Sequence, residues 1–142
     1  MSAGSVTFHV EDVTFQNLNE DRINAWVQNS VGAEGKLLGD VNCVFCSDKY
    51  LLEINKTYLN HDTFTDIVTF NYVENDIISG DLFISVERVK ENAASFNVKF
   101  LHELKRVIIH GVLHLIGYND KTPEEAEEIR AKEDFYLTLC AD

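Results

Sequence analysis

Three side chains able to bind a metal ion fall within eleven residues: His110, His114 and Asp120, in the stretch Val107-Ile-Ile-His-Gly-Val-Leu-His-Leu-Ile-Gly-Tyr-Asn-Asp120. Residues four apart on an α-helix share one face with their Cβ atoms about 6 Å apart, so both imidazoles can bind a single ion without bending the backbone. Gly117 is placed to end such a helix in a left-handed conformation, which predicts that Tyr118-Asn119-Asp120 swings back and offers a carboxylate as third ligand. Three protein ligands leave one position for water, as in catalytic rather than structural zinc sites. A histidine pair on an apolar helix can instead be hydrogen-bonded to backbone. The shared face, the glycine and the carboxylate together favour the metal, because each buried imidazole carries polar nitrogens that need partners. The metallopeptidase signature His-Glu-x-x-His has its general base beside the first ligand, and here that position is Gly111, which weakens a peptidase reading. Glycine within a helix costs about 1 kcal/mol relative to alanine, so Gly111 signals a close approach, either by packing or by substrate.

The helix must be held by the rest of the chain. Val6-Thr-Phe-His-Val10 alternates like a strand, and an amphipathic helix runs from about Asn19 to Gly32. Lys36 to Cys46 reads as a second strand, followed by a helix capped at Ser47-Asp48 with apolar positions Tyr50, Leu51, Ile54 and Tyr58. After a polar loop, Asn60 to Thr65, two β-branched and aromatic runs, Asp66 to Val73 and Ser79 to Ser85, predict an antiparallel strand pair. Ser85 caps a third helix, Lys99 to Gly117 is the histidine helix, and Thr122-Pro-Glu-Glu125 is a capping box opening a last helix that runs to about Leu139. The order β-α-β-α-β-β-α-α-α predicts an α+β fold: a small mixed sheet of about four strands covered by helices, with the histidine helix at the centre.

With 142 residues and no linker or repeat, residues 1–142 are expected to form a single domain that buries about two thirds of its unfolded surface. The chain carries 24 acidic and 12 basic side chains, a formal net charge of −12 that argues against a general polyanion binder, although a local basic groove is compatible with it. Much of the acid (Glu124, Glu125, Glu127, Glu128, Glu133, Asp134) lies on the last helix, where a solvated face is expected. Cys43 and Cys46 sit in a strand, where residues three apart point to opposite faces, so a zinc knuckle or redox pair is not expected and buried reduced thiols are. Without a signal-like or membrane-spanning segment, a soluble cytoplasmic protein is expected.

His110-Gly-Val-Leu-His-Leu-Ile-Gly-Tyr118 closely resembles the core of the YbeY family, single-strand-specific metallo-endoribonucleases of ribosomal RNA maturation and ribosome quality control. The likeness extends to Asn55, Tyr58 and Thr65-Asp-Ile-Val-Thr-Phe70, and to Gly80-Asp-Leu-Phe-Ile-Ser85, and holds in register over about residues 40 to 138. It implies a metal-dependent endoribonuclease with one divalent ion, zinc first, held by His110, His114 and Asp120. The implied partners are single-stranded or ribosomal RNA and the ribosome or a ribosomal protein, with no DNA and no membrane. Two departures bear on chemistry. Asp120 stands where the family has a third histidine; a carboxylate is harder and charged, which opens the site to manganese or magnesium and weakens activation of a bound water. Leu59, followed by Asn60 and His61, stands where the family carries a loop arginine. Glu103, Arg106, His110 and His114 fall on one helical stripe, so Arg106 can fork onto a phosphate in the cleft or pair with Glu103. His61, His102 and Lys56 are further cations, and Asp66 and Asp81 are expected at strand starts, as cleft or turn residues. The alternatives are a non-catalytic ribosome-associated module with a structural metal, a metallopeptidase-like hydrolase, and a small-substrate hydrolase.

Overall fold

In a computed structural model of the chain, residues 4–16, 18–59 and 65–140 are described. The elements are β1 (Ser5–Val10), α1 (Glu20–Ala33), β2 (Leu37–Cys46), α2 (Asp48–Tyr58), β3 (Ile67–Asn71), β4 (Ile77–Ser85), α3 (Val86–Phe96), α4 (Phe100–Ile116) and α5 (Pro123–Leu137). They form the expected α+β arrangement around a four-stranded mixed sheet of order β1-β2-β4-β3. β1 and β4 flank β2 in parallel, and β3 pairs antiparallel with β4 at the edge. The caps expected at Ser47, Ser85 and Thr122 are all present, the last as a reciprocal capping box with Glu125.

The antiparallel pair differs from its sequence-based bounds. β4 begins at Ile77 rather than Ser79, because a tight turn lets pairing continue almost to the hairpin tip. Asn75 takes a positive φ of 56° there, and the Ile77 amide donates to the Glu74 carbonyl at 3.0 Å. Asp81 consequently lies in mid-strand, while Asp66 precedes β3, which starts at Ile67.

Alternation along the strands separates two faces. Val41, Cys43 and Phe45 of β2 pair with Gly80, Leu82 and Ile84 of β4 and form the floor of the main core, against which α1 and α4 pack. On the other face α2 covers a smaller cluster of Cys46, Leu51, Ile54 and Val68. Cys43 and Cys46 are thus on opposite faces, each buried, and burial pushes both thiols up to about 12. No helix among the described residues is long and apolar enough to cross a membrane.

α4 is enclosed as expected for the central helix: it packs on β3, β4, α1, α3 and α5, and buries Leu104, Val107, Ile108, Ile109, Val112, Leu113 and Leu115. Burial of each such side chain stabilises by about 1.5–3 kcal/mol. Two glycines let the helix sit this close to the sheet. A Cβ on Gly111 would lie 2.7 Å from Ile67 Cδ1 and 2.9 Å from Leu82 Cδ2, which identifies its close neighbours as strand side chains rather than a substrate. A Cβ on Gly80 would lie 2.5 Å from the Phe70 carbonyl oxygen and 2.7 Å from Leu115 Cδ2. Because a backbone carbonyl in a sheet cannot yield as a methyl group can, Gly80→Ala is expected to destabilise the protein by about 1–3 kcal/mol. The loss should be read as a lower urea midpoint at unchanged m-value.

Candidate metal centre

The carboxy-terminal half of α4 presents His110 and His114 on the side facing α5, and Gly117 (φ 128°) then turns the chain. The turn is tight: the Gly117 and Tyr118 amides both donate to the Leu113 carbonyl, at 3.1 and 3.0 Å. It carries Asp120 back toward both rings, as the glycine implied. Asp120 Oδ2 lies 3.4 Å from His110 Nε2 and 3.3 Å from His114 Nε2, and the two Nε2 atoms are 2.9 Å apart. A tetrahedral zinc with bonds of about 2.0–2.1 Å separates neighbouring ligand atoms by about 3.3 Å, so this triangle has the size of one tetrahedral face. The three residues form a group that could hold a metal ion.

The far nitrogens of the two rings explain why the two Nε2 atoms are electron-rich. His110 Nδ1 is 2.6 Å from Glu133 Oε2, and His114 Nδ1 is 2.9 Å from the Tyr118 carbonyl oxygen. An ionised carboxylate and a carbonyl only accept, so each Nδ1 carries the hydrogen and each Nε2 directs its lone pair toward Asp120. Two lone pairs cannot face each other at such a distance unless a cation or proton lies between them. Burial opposes a charge on His110, yet the hydrogen bond and charge of Glu133, with Asp120 and Asp66, raise its pKa above the usual imidazole value. A proton and a metal ion would therefore compete for the same lone pairs.

His110 and Asp120 open onto a cleft of about 480 Å³ between α4, α5 and the start of β3. Asp66 and Glu103 line it, and burial raises the pKa of both. Arg106 also lines it, but pairs across to α5 rather than with Glu103: its terminal nitrogens donate to Glu133 Oε1 at 2.9 Å and Asp134 Oδ1 at 2.7 Å. Arg130 stands at the same cleft, largely exposed. Other sequence candidates lie elsewhere. Leu59 and Lys56, at the end of α2, and His102, on α4, are exposed and do not line the cleft, and Asn60 and His61 are outside the described residues. Asp81 accepts from Asn42 Nδ2 at 3.0 Å and lines a separate aromatic groove with Tyr58, Phe70 and Tyr72.

Glu133 is the residue that sequence reasoning missed. Counted there among the solvated acids of the last helix, it is 4% exposed and its two oxygens bridge His110 to Arg106. The signal was in the spacing: Ile129, Glu133 and Tyr136 fall at i, i+4 and i+7 and form the buried stripe of α5, so an acid stood on a core-facing line.

The family model described as Endoribonuclease YbeY matches residues 6–141. A protein of Christiangramia forsetii named Endoribonuclease YbeY is 45% identical over 139 residues, 98% of this chain and 96% of that protein. One of the same name from Flavobacterium johnsoniae is 52% identical over 121 residues, 85% of this chain and 87% of its own. Among solved structures, the solution structure of TM1509 from Thermotoga maritima is similar with a TM-score of 0.66 and 27% identity, over 93% of this chain and 86% of that one.

If Glu133 holds the His110 ring, Glu133→Gln should lower the His110 pKa in metal-free protein toward the ordinary imidazole value, read by NMR titration of the ring. The stability linked to this group is fully present below the unfolded imidazole pKa and lost as pH rises through the elevated folded value. Glu133→Gln should remove that pH-dependent contribution, and an unchanged His110 titration would refute the role.

Proposed function

Because the chain belongs to the Endoribonuclease YbeY family, we propose that it is a metal-dependent hydrolase that cleaves phosphodiester bonds in single-stranded RNA, acting in ribosomal RNA maturation and ribosome quality control. In this reading residues 1–142 work as one hydrolase domain in the cytoplasm, beside the ribosome or one of its proteins. The observation that carries it is the convergence of three lone-pair donors, His110 Nε2, His114 Nε2 and Asp120 Oδ2, at the mouth of an open cleft. Two imidazoles and a carboxylate at tetrahedral spacing suit zinc, which is the ion we assign.

A divalent ion in that position supplies Lewis acidity toward a phosphoryl oxygen and lowers the pKa of a water from near 16 toward ~7. The protein's own contribution is orientation and charge. Glu133 and the Tyr118 carbonyl fix the two rings through Nδ1, so that both lone pairs stay on one point. Arg106 has both terminal nitrogens engaged, so it offers a phosphate its charge more than a vacant fork. With a formal net charge of −12 on the chain, and five carboxyl residues beside the two arginines in the cleft lining, the ion is the main local attraction for an RNA backbone. Asp66, whose burial favours its neutral form, can hold a proton at the cleft wall.

The test is metal analysis of wild type, His114→Ala and Asp120→Ala, each then assayed on single-stranded RNA, structured ribosomal RNA and casein. Wild type should carry about one zinc per chain and cut single-stranded RNA but not casein, and both variants should lose metal and more than about 100-fold in activity. Asp120→His should retain metal, since histidine can replace a ligating carboxylate. Cleavage by metal-free His114→Ala would sink the assignment. Activity should also decline on acidification, because a protonated imidazole cannot hold the ion, so a flat profile from neutral into mildly acid pH would count against it.

A further inference from the structure

We infer that Glu34, the residue closing α1, is a positioning residue for the metal centre, holding in place the acceptors that orient both histidines. The inference rests on the reading of His110, His114 and Asp120 as ligands. Glu34 does not line the catalytic cleft; it borders a separate groove with Tyr118 and Glu128. Its side chain is 10% exposed and gathers three donors, one from the loop after α4 and two from α5. The Tyr118 hydroxyl donates to Oε1 at 2.6 Å, Lys132 Nζ to Oε2 at 3.2 Å, and the Tyr136 hydroxyl also to Oε2. Burial alone would raise the carboxyl's pKa, but these donors outweigh it and hold the pKa below the usual range, so the group is ionised when it accepts them.

Two lines of support run from this carboxylate to the rings. The first passes through Tyr118, whose hydroxyl is held by Glu34 and whose carbonyl accepts from His114 Nδ1. Tyr118 is the half-buried residue of a ligand loop in which Gly117, Asn119 and Asp120 are exposed, and Gly117 leaves that loop conformationally free, so the side chain of Tyr118 is its tether. Lys132 adds to the tether from above the Tyr118 ring, 5.7 Å from its centroid. The second line passes through α5. Tyr136 lies one turn beyond Glu133 on the same buried stripe, and its carbonyl accepts from Trp26 Nε1 at 2.7 Å, so α1 grips α5 at the register that places Glu133 on His110. One carboxylate at the end of α1 thereby sets the acceptors of both Nδ1 atoms.

A structural role alone would affect stability but not the ligand geometry, and metal binding separates the two. Zinc affinity, and the visible absorption of the cobalt(II)-substituted protein, should be measured for wild type, Glu34→Gln and Tyr118→Phe, alongside melting of the metal-free forms. Tyr118→Phe removes only the hydroxyl and keeps the carbonyl, so it is expected to fold like wild type. Both variants should bind zinc measurably more weakly, by no more than the about 10–100-fold lost with a direct outer partner of a ligating histidine, with altered cobalt spectra. Wild-type affinity and spectra in both variants, whatever their melting temperatures, would overturn the inference. Failure of the wild type itself to take up zinc, cobalt(II) or manganese would overturn the ligand assignment, and the inference with it.

Discussion

A helix that is apolar around most of its circumference has to be enclosed, and α4 also carries a polar line, Glu103, Arg106, His110 and His114, that must find partners inside that enclosure. Most of the architecture answers these two demands. The sheet supplies a flat apolar face bare enough, at Gly80 opposite Leu115, to let the helix lie close. α1 and α3 close its flanks, and α5 closes the polar side by presenting Glu133 and Asp134 to Arg106 and Glu133 again to His110. A buried charge is tolerable only when paired and hydrogen-bonded, and Glu133 meets that condition with both oxygens used.

The same arrangement fixes the electrostatics of the candidate ligand atoms. An acceptor on each Nδ1 commits each ring to one tautomer, and the repulsion this creates between two facing Nε2 lone pairs is what makes the position attractive to a cation. Asp120, more exposed than either ring, adds negative charge where a histidine would add none. The site is thereby better matched to a positive ion and less electropositive once the ion is bound, the opposite balance from an all-imidazole set.

What could be read in the sequence was local. The four-residue histidine spacing, the helix-ending glycine, the returning Asp120, the caps at Ser47, Ser85 and Thr122, and the α+β order all depend on neighbours a turn or two away, and all of these features are present. What could not be read depended on pairing across long stretches of chain. For Arg106 the helical stripe offers a phosphate in the cleft or Glu103, three residues away, and neither is its partner, because nothing local announces that α5 folds back to supply Glu133 and Asp134. Glu133 disappeared into an acidic run because composition outweighed its place on the Ile129–Tyr136 stripe. The bound of β4 was missed because Asn75 has a side chain that tolerates positive φ, which permits a tighter turn than the residue count suggested.

The three candidate ligand atoms and their supports thus differ in how far apart they lie along the chain. His110, His114 and Asp120 can meet within a single helix and turn, whereas the partners that orient the rings come from residue 133 on α5 and, through Tyr118, from residue 34 on α1. A segment so short keeps some capacity to chelate an ion even in the unfolded chain, and a ligand stabilises a fold only by the excess of its affinity for the native state over the denatured one. With an ion held there, its coupling to the fold would reside in the distant carboxylates more than in the three candidate ligands, since only the assembled tertiary structure brings those carboxylates to the rings.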